Sequence, residues 1–173
     1  HNALLKRING RMAGENELDY WDERAARAGA VLVAGRQKLL RELEGLAQSV
    51  HRELTGGGEH LELRYLPGFV PTAGGDGQLS FNATGLDLHR QLDPLDIAPQ
   101  FCAALRADRR QQVERGVTLC GPHRDELRFD VNGRDLGHYG SRGQAHTAVV
   151  ALKLAELKWM RQAVGKWPVL LLD

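Results

Sequence analysis

Gly140-Ser141-Arg142-Gly143-Gln144 places two glycines, a hydroxyl and an amide just ahead of a helical pattern. The first N–H groups of a helix have no partner within it, and the helix dipole puts partial positive charge there. Such a turn favours an anion, phosphate above all. Glycine lets a ligand approach the backbone closely. Ser141 can donate its hydroxyl, and Gln144 can contact a ligand or orient the turn. The same residues also suit an ordinary helix start with Ser141 as N-cap, so two readings stand on them.

Trp167-Pro168-Val169-Leu170-Leu171-Leu172-Asp173 reads as an apolar strand ending in a carboxylate. The C-terminal end of a buried parallel strand is where α/β sheets bind ligands. P-loop NTPases hold Mg²⁺ with an Asp in that setting. A Ser-x-Gly-Gln turn, a helix of about 20 residues and an apolar strand ending in Asp follow one another in ABC-type ATPases. A third cluster is Gly121-Pro122-His123-Arg124-Asp125. With His138, residues His123 and Asp125 could serve a metal hydrolase as ligands or as an acid–base pair. No further His or Cys stands at ligand spacing, which favours a turn whose polar groups bond the neighbouring backbone.

The scaffold must come from 173 residues, enough for one domain or one and a half. Apolar residues make up 42% and charged residues 26%, which suits a soluble globular chain with a real core. Lys plus Arg is 23 against 22 for Asp plus Glu, a net charge of +1. That excludes a highly basic nucleic-acid coat or an acidic disordered tail, but not a local basic patch. There is no run of 18 apolar residues, hence no expected membrane span. Cys102 and Cys120 make no disulfide framework, and a cytosolic protein is expected. The chain opens at His1 and stops on an apolar strand, so a piece of a longer protein is expected.

From Asn16 to Glu53 the pattern is helical, with a seam of Leu18, Trp21, Ala25, Ala28, Leu32, Gly35, Leu39, Leu43, Leu46 and Val50. Asn16 suits the N-cap. Unbroken, Leu18–Val50 would span roughly 50 Å. Gly29 and Gly35 each lower helix propensity by about 1 kcal/mol, so two shorter helices also fit. His1–Arg11 reads as a further helix against this seam. Thr55-Gly56-Gly57-Gly58 ends the helical part. Leu61, Leu63 and Tyr65 then alternate with Glu62 and Arg64 as a half-buried strand. Residues 67–77, rich in Gly and Pro, read as a mobile loop. Residues 95–115 read as a helix burying Ile97, Phe101, Leu105 and Val113. Leu127, Phe129 and Val131 alternate with charges ahead of Asn132-Gly133, a hairpin signal. A second long helix is expected over 144–164, with Val149, Leu152, Ala155, Met160 and Ala163 on one side. Val150, Leu154, Leu157 and Val164 form another side, and Gly165 ends the helix.

The segments 121–125, 140–144, Ala151-Leu152-Lys153-Leu154-Ala155-Glu156 and 168–173, in this order, resemble the RecF family. These are bacterial ATPases of DNA replication and recombinational repair, related to the chromosome-maintenance ATPases. Leu18-Asp19-Tyr20-Trp21-Asp22 and Leu61-Glu62-Leu63-Arg64-Tyr65 also fit the family's middle region. The resemblance implies an α/β protein, here an α+β piece. A helical arm domain would cover residues 1–58, and the later part of an ABC-type ATPase head with a mixed sheet would cover 59–173. It implies that Ser141, Arg142, Gly143 and Gln144 form the signature motif, touching the γ-phosphate of ATP held by the opposite subunit. Asp173 would be the Walker B aspartate and Mg²⁺ ligand.

Two departures stand out. Ala145-His146 occupy positions where Gln-Arg commonly follow the signature, and no Gly-x-x-x-x-Gly-Lys-Ser/Thr occurs in the sequence. The resemblance therefore implies ATP and Mg²⁺ as cofactors of the whole protein, with none bound to this stretch, and no ATP hydrolysis by residues 1–173 alone. It implies DNA (single-stranded, duplex or junction) and an ATP-dependent homodimer as partners, with RecR and the RecO–RecR pathway, and no membrane. Arg106, Arg109 and Arg110 are candidate DNA contacts, as are Lys6, Arg7 and Arg11; all could equally be solvated helix faces. The other reading is a non-enzymatic helical interaction or dimerisation module.

Overall fold

A computed structural model describes residues 1–69 and 92–169. Among these residues, six α-helices and three strands follow in the order α1 (Asn2–Asn9), α2 (Glu17–Leu54), β1 (Leu61–Leu66), α3 (Pro94–Ala107), α4 (Arg109–Arg115), β2 (Glu126–Val131), β3 (Arg134–Asp135), α5 (Leu136–Tyr139) and α6 (Arg142–Val164). The strands form one sheet in the order β1-β2-β3. The chain divides into two compact units. One comprises residues 1–37 with the described residues of 66–126, the other residues 38–65 with 127–169.

α2 runs unbroken through Gly29 and Gly35 for 38 residues. Its N-terminal half buries a different stripe from the expected one: Leu18, Asp22, Ala26, Gly29, Ala30, Val33 and Gln37. Trp21 and Leu32 of the expected seam are 45% and 51% exposed. Burying Asp22 is made favourable by partners distant in sequence. One carboxylate oxygen lies 2.7 Å from His1 Nε2, and the other accepts from Arg109 at 2.7 Å. Small side chains at Ala26 and Ala30, and none at Gly29, admit close packing there. A separate apolar cluster joins Leu4, Leu5 and Ile8 of α1 to Leu18, with Val113 of α4 packed against it.

The expected helix over 95–115 is two helices, α3 and α4, broken at Asp108. Asp93 caps α3 by accepting from Leu95 N, with Pro94 at the first helical position. Ile97, Phe101 and Leu105 are buried as expected. Buried Gln112 donates to Leu105 O at 2.7 Å and so ties α4 back to α3. The described start of the expected mobile loop is anchored. Gly68 N donates to Asp125, Gly121 N donates to Gly68 O, and Phe69 stacks on Phe101. Residues 70–77 of that loop lie outside the described residues.

In the second unit, Leu61, Leu63 and Tyr65 of β1 are buried and alternate with more exposed neighbours, as the pattern required. β2 and β3 pair antiparallel with Asp130 opposite Asp135 and Val131 opposite Arg134. Asn132 and Gly133 make the two-residue turn at φ 51° and 74°, the left-handed geometry that Asn-Gly suits. Asp130 is buried, contrary to simple alternation, because Arg64 Nη2 donates to it at 2.6 Å. α6 buries a stripe of small residues, Ala148, Ala151 and Ala155, against Leu43, Ala47 and Val50 of α2 and against Leu61, Val131 and Leu136. Val149, Met160 and Val164, expected on its packed sides, are exposed. Trp159 Nε1 donates to Glu42 at 2.8 Å across the same contact. The helix ends at Gly165, φ 74°. Residues 167–169 form no strand, and Leu170–Asp173 of the expected Walker B strand lie outside the described residues.

Candidate functional site

The turn over residues 140–144 is built from its two sides. Asp135 Oδ1 accepts from Gly137 N at 2.7 Å and starts the short helix α5. The chain leaves α5 through Gly140 in an extended conformation. A Cβ there would stand 2.7 Å from Leu136 O and 2.8 Å from Leu136 Cδ2, so only glycine fits. Ser141 caps α6. Its Oγ accepts from Gln144 N at 3.2 Å, and its N–H donates to Gln144 Oε1 at 3.1 Å, a reciprocal capping box.

This closure leaves a defined set of donors. The N–H groups of Arg142 and Gly143, the first two of the helix, have no intrahelical partner and make no hydrogen bond to the described residues. The Ser141 oxygen is engaged as an acceptor, while its hydroxyl proton can be given outward. Ser141, Arg142 and Gly143 are all exposed. Gly143 is not demanded by crowding: a Cβ there would meet only Ser141 Oγ, at 3.8 Å. Helical glycine costs about 1 kcal/mol relative to alanine, and nothing within the described residues offsets it here. The donor set suits an oxyanion with several equivalent oxygens, such as a terminal phosphate.

Gln144 has a double role in the chain itself. Its Oε1 serves Ser141, and its Nε2 donates to Glu59 Oε1 at 2.8 Å. Glu59 Oε2 lies 3.6 Å from Nε2 of His51, a fully buried ring with no hydrogen bond on either nitrogen. Burial pushes the His51 pKa below the ordinary value, with Glu59 opposing. Glu59 and His51 were not singled out in the sequence. A histidine beside Val50 on the buried stripe was the one available signal, and Glu59 belongs to no motif.

The other candidates lie elsewhere. Arg109 donates to Asp19 at 2.6 Å and to Asp22 at 2.7 Å, and the bond and charge of Arg109 beside Asp19 hold that carboxyl below the ordinary carboxylate range. Arg106 pairs with Asp19 and Glu23, and Arg110, 92% exposed, pairs with Glu114 one turn on. Lys6, Arg7 and Arg11 are exposed and have no acidic partner among the described residues. Asp173 lies outside the described residues. His123 Nε2 donates to Thr118 O at 3.2 Å. Asp125 holds Gly68 N and ion-pairs with Arg36, and His138 pairs with Asp135. No group of three His, Cys, Asp or Glu among the described residues could hold a metal. Among them, too, no helix is long and apolar enough to cross a membrane.

No protein-family model matches the sequence. The chain is 41% identical over 157 residues to the DNA replication and repair protein RecF of Chloroflexus aggregans, covering 91% of this chain and 36% of that protein. To RecF of Herpetosiphon aurantiacus it is 38% identical over 174 residues, 99% of this chain and 39% of the relative. To RecF of Bacillus subtilis it is 35% identical over 173 residues, 99% of this chain and 42% of the relative. The solved structure of the recombination mediator protein RecF–ATP in the RecFOR pathway superposes with a TM-score of 0.80 at 29% identity. It covers 99% of this chain and 41% of that one. The chain thus spans about two fifths of the length of the proteins it matches. In sequence and in fold the chain is similar to a part of RecF, and its α+β architecture, helices with a small antiparallel sheet, matches a fragment of the RecF ABC-ATPase fold.

Proposed function

We propose that this segment lends the whole protein its signature turn, and that Ser141, Arg142 and Gly143 donate to the γ-phosphate of ATP held by a second copy. The observation that carries this is the exposed Ser141 turn, whose two leading amides are open and whose Gly143 has no packing reason to be glycine. The donors are fixed before the phosphate arrives, so they contribute by position and charge rather than by covalent chemistry. Gln144 orients the turn. Asp173 is proposed as the Mg²⁺ ligand. Two copies closed in this way would hold DNA and let it go when the γ-phosphate is lost. RecR and the RecO–RecR pathway are the proposed protein partners. Lys6, Arg7 and Arg11 are better DNA candidates than Arg106 and Arg109, whose charges are met by Asp19, Asp22 and Glu23.

The test is nucleotide-dependent self-association of the full-length protein, followed by light scattering. Ser141→Arg is expected to abolish the ATP-dependent dimer while monomeric nucleotide binding persists. An undiminished dimer would refute the reading. A second reading, a helical docking arm, draws on exposed Tyr20, Trp21, Val31 and Leu32 of α2. It predicts self-association or partner binding that is indifferent to ATP.

A further inference from the structure

The capping box demands one orientation of the Gln144 side chain. Its oxygen must face Ser141 N–H, because two donors cannot face one another. A glutamine has several rotors and an amide that can turn end for end, so the box alone does not specify that orientation. Glu59 does. An ionised carboxylate only accepts, so the NH₂ end of Gln144 must face it, and Oε1 is left pointing at Ser141.

Glu59 is itself fixed. The next residue, His60, is bonded to the hairpin turn in both directions: His60 N to Asn132 Oδ1 at 2.9 Å, and Asn132 N to His60 O at 2.9 Å. Behind the carboxylate stands His51, fully buried, with both ring nitrogens unpartnered and Nε2 at 3.6 Å from Glu59. A buried polar ring without a hydrogen bond is costly, and the Glu59 carboxylate lies beside it.

We infer that Glu59 is a positioning residue for the signature turn: its carboxylate holds the Gln144 amide in the one orientation that caps Ser141, and so aims the Ser141 hydroxyl and the Arg142 and Gly143 amides outward at the phosphate. The inference rests on the reading of that turn as the ATP contact. It also ties the last turn of α2, through His51 and Glu59, to the start of α6.

The test uses the full-length protein and reads ATP-dependent dimerisation by analytical ultracentrifugation, with nucleotide affinity of the monomer measured alongside. Glu59→Ala is expected to weaken dimerisation about tenfold, the scale of one lost hydrogen bond to a charged group. Monomer affinity for ATP should not move. Glu59→Gln keeps an acceptor oxygen at the same reach but can also present its NH₂ end, so it should recover only part of the loss and fall between Glu59→Ala and the parent. Glu59→Asp keeps the charge but falls short by one methylene and should behave like Glu59→Ala; it carries the test if Glu59→Ala misfolds. Dimerisation unchanged in both Glu59→Ala and Glu59→Asp overturns the inference, and so does Glu59→Gln losing as much as Glu59→Ala. Ser141→Arg run in parallel separates the two ideas. If it too dimerises normally, the signature reading itself fails; if it alone is defective, only the role of Glu59 does.

Discussion

Gly29 on α2 lies so close to Phe101 on α3 that a Cβ at position 29 would stand 2.4 Å from Cε1 of the ring. Phe101 cannot retreat, since it is buried and stacked on Phe69 with centroids 4.5 Å apart. Gly35, two turns on, has nothing within 4 Å of its would-be Cβ. The two glycines look alike in the sequence and should behave oppositely. Gly29→Ala is expected to destabilise the protein by about 1–3 kcal/mol through overpacking, outweighing its propensity gain of about 1 kcal/mol. Gly35→Ala should stabilise it by about 0.5–1 kcal/mol. Urea midpoints check both, and equal shifts of the same sign would contradict the α2–α3 contact.

Arg109 and the trio Lys6, Arg7 and Arg11 should also separate. Removing Arg109 leaves the buried Asp22 carboxylate with His1 alone, so Arg109→Gln should cost about 1–3 kcal/mol in thermal unfolding. Its effect on the salt dependence of DNA binding should be small. Each Gln substitution in the trio should leave the melting temperature alone. Each that contacts a phosphate should reduce the salt slope of DNA binding by about 0.9 for duplex DNA. A slope that falls with Arg109 and not with the trio would return DNA contact to the α4 arginines.

His51 gives a pH signature. Burial lowers its folded-state pKa, with Glu59 opposing, so the unfolded chain takes up the proton first as pH falls. Above the ordinary histidine pKa the ring is neutral in both states and adds no pH dependence to stability. Stability is lost as pH drops through that value towards the depressed one. Between about pH 7.5 and about pH 5.5, the melting temperature of the parent should fall further than that of His51→Gln. Parallel pH profiles would show that the ring is not held neutral by burial.

Much of the local structure was legible because it is decided by neighbours in the chain. Ser141 and Gln144 are three residues apart and cap one another. Asn132-Gly133 can hardly make anything but a tight turn, and Leu61, Leu63 and Tyr65 show their buried face by alternation alone. The misread stripe of α2 has the opposite cause. Apolar spacing favoured Trp21 and Leu32, whereas burial of Asp22 depends on His1 and on Arg109, 87 residues away. No periodicity records such a pairing. The same holds for α6, where the smallest residues, not the largest, were buried because close approach to Leu43 and Ala47 needs alanine. Glu59 was invisible for a related reason: its partner Gln144 is 85 residues distant.

Photo-crosslinking asks directly which atoms meet the terminal phosphate. Full-length protein, half of it carrying a mass label, is mixed with ATP bearing a photoreactive group on its γ-phosphate and irradiated. Label transfer is expected to the peptide holding residues 141–144, only when dimers form, and on the copy opposite the one that holds the nucleotide. Transfer that spares this peptide in a proven dimer, or that marks it equally in the monomer, would rule out contact between this turn and the γ-phosphate of the opposite copy.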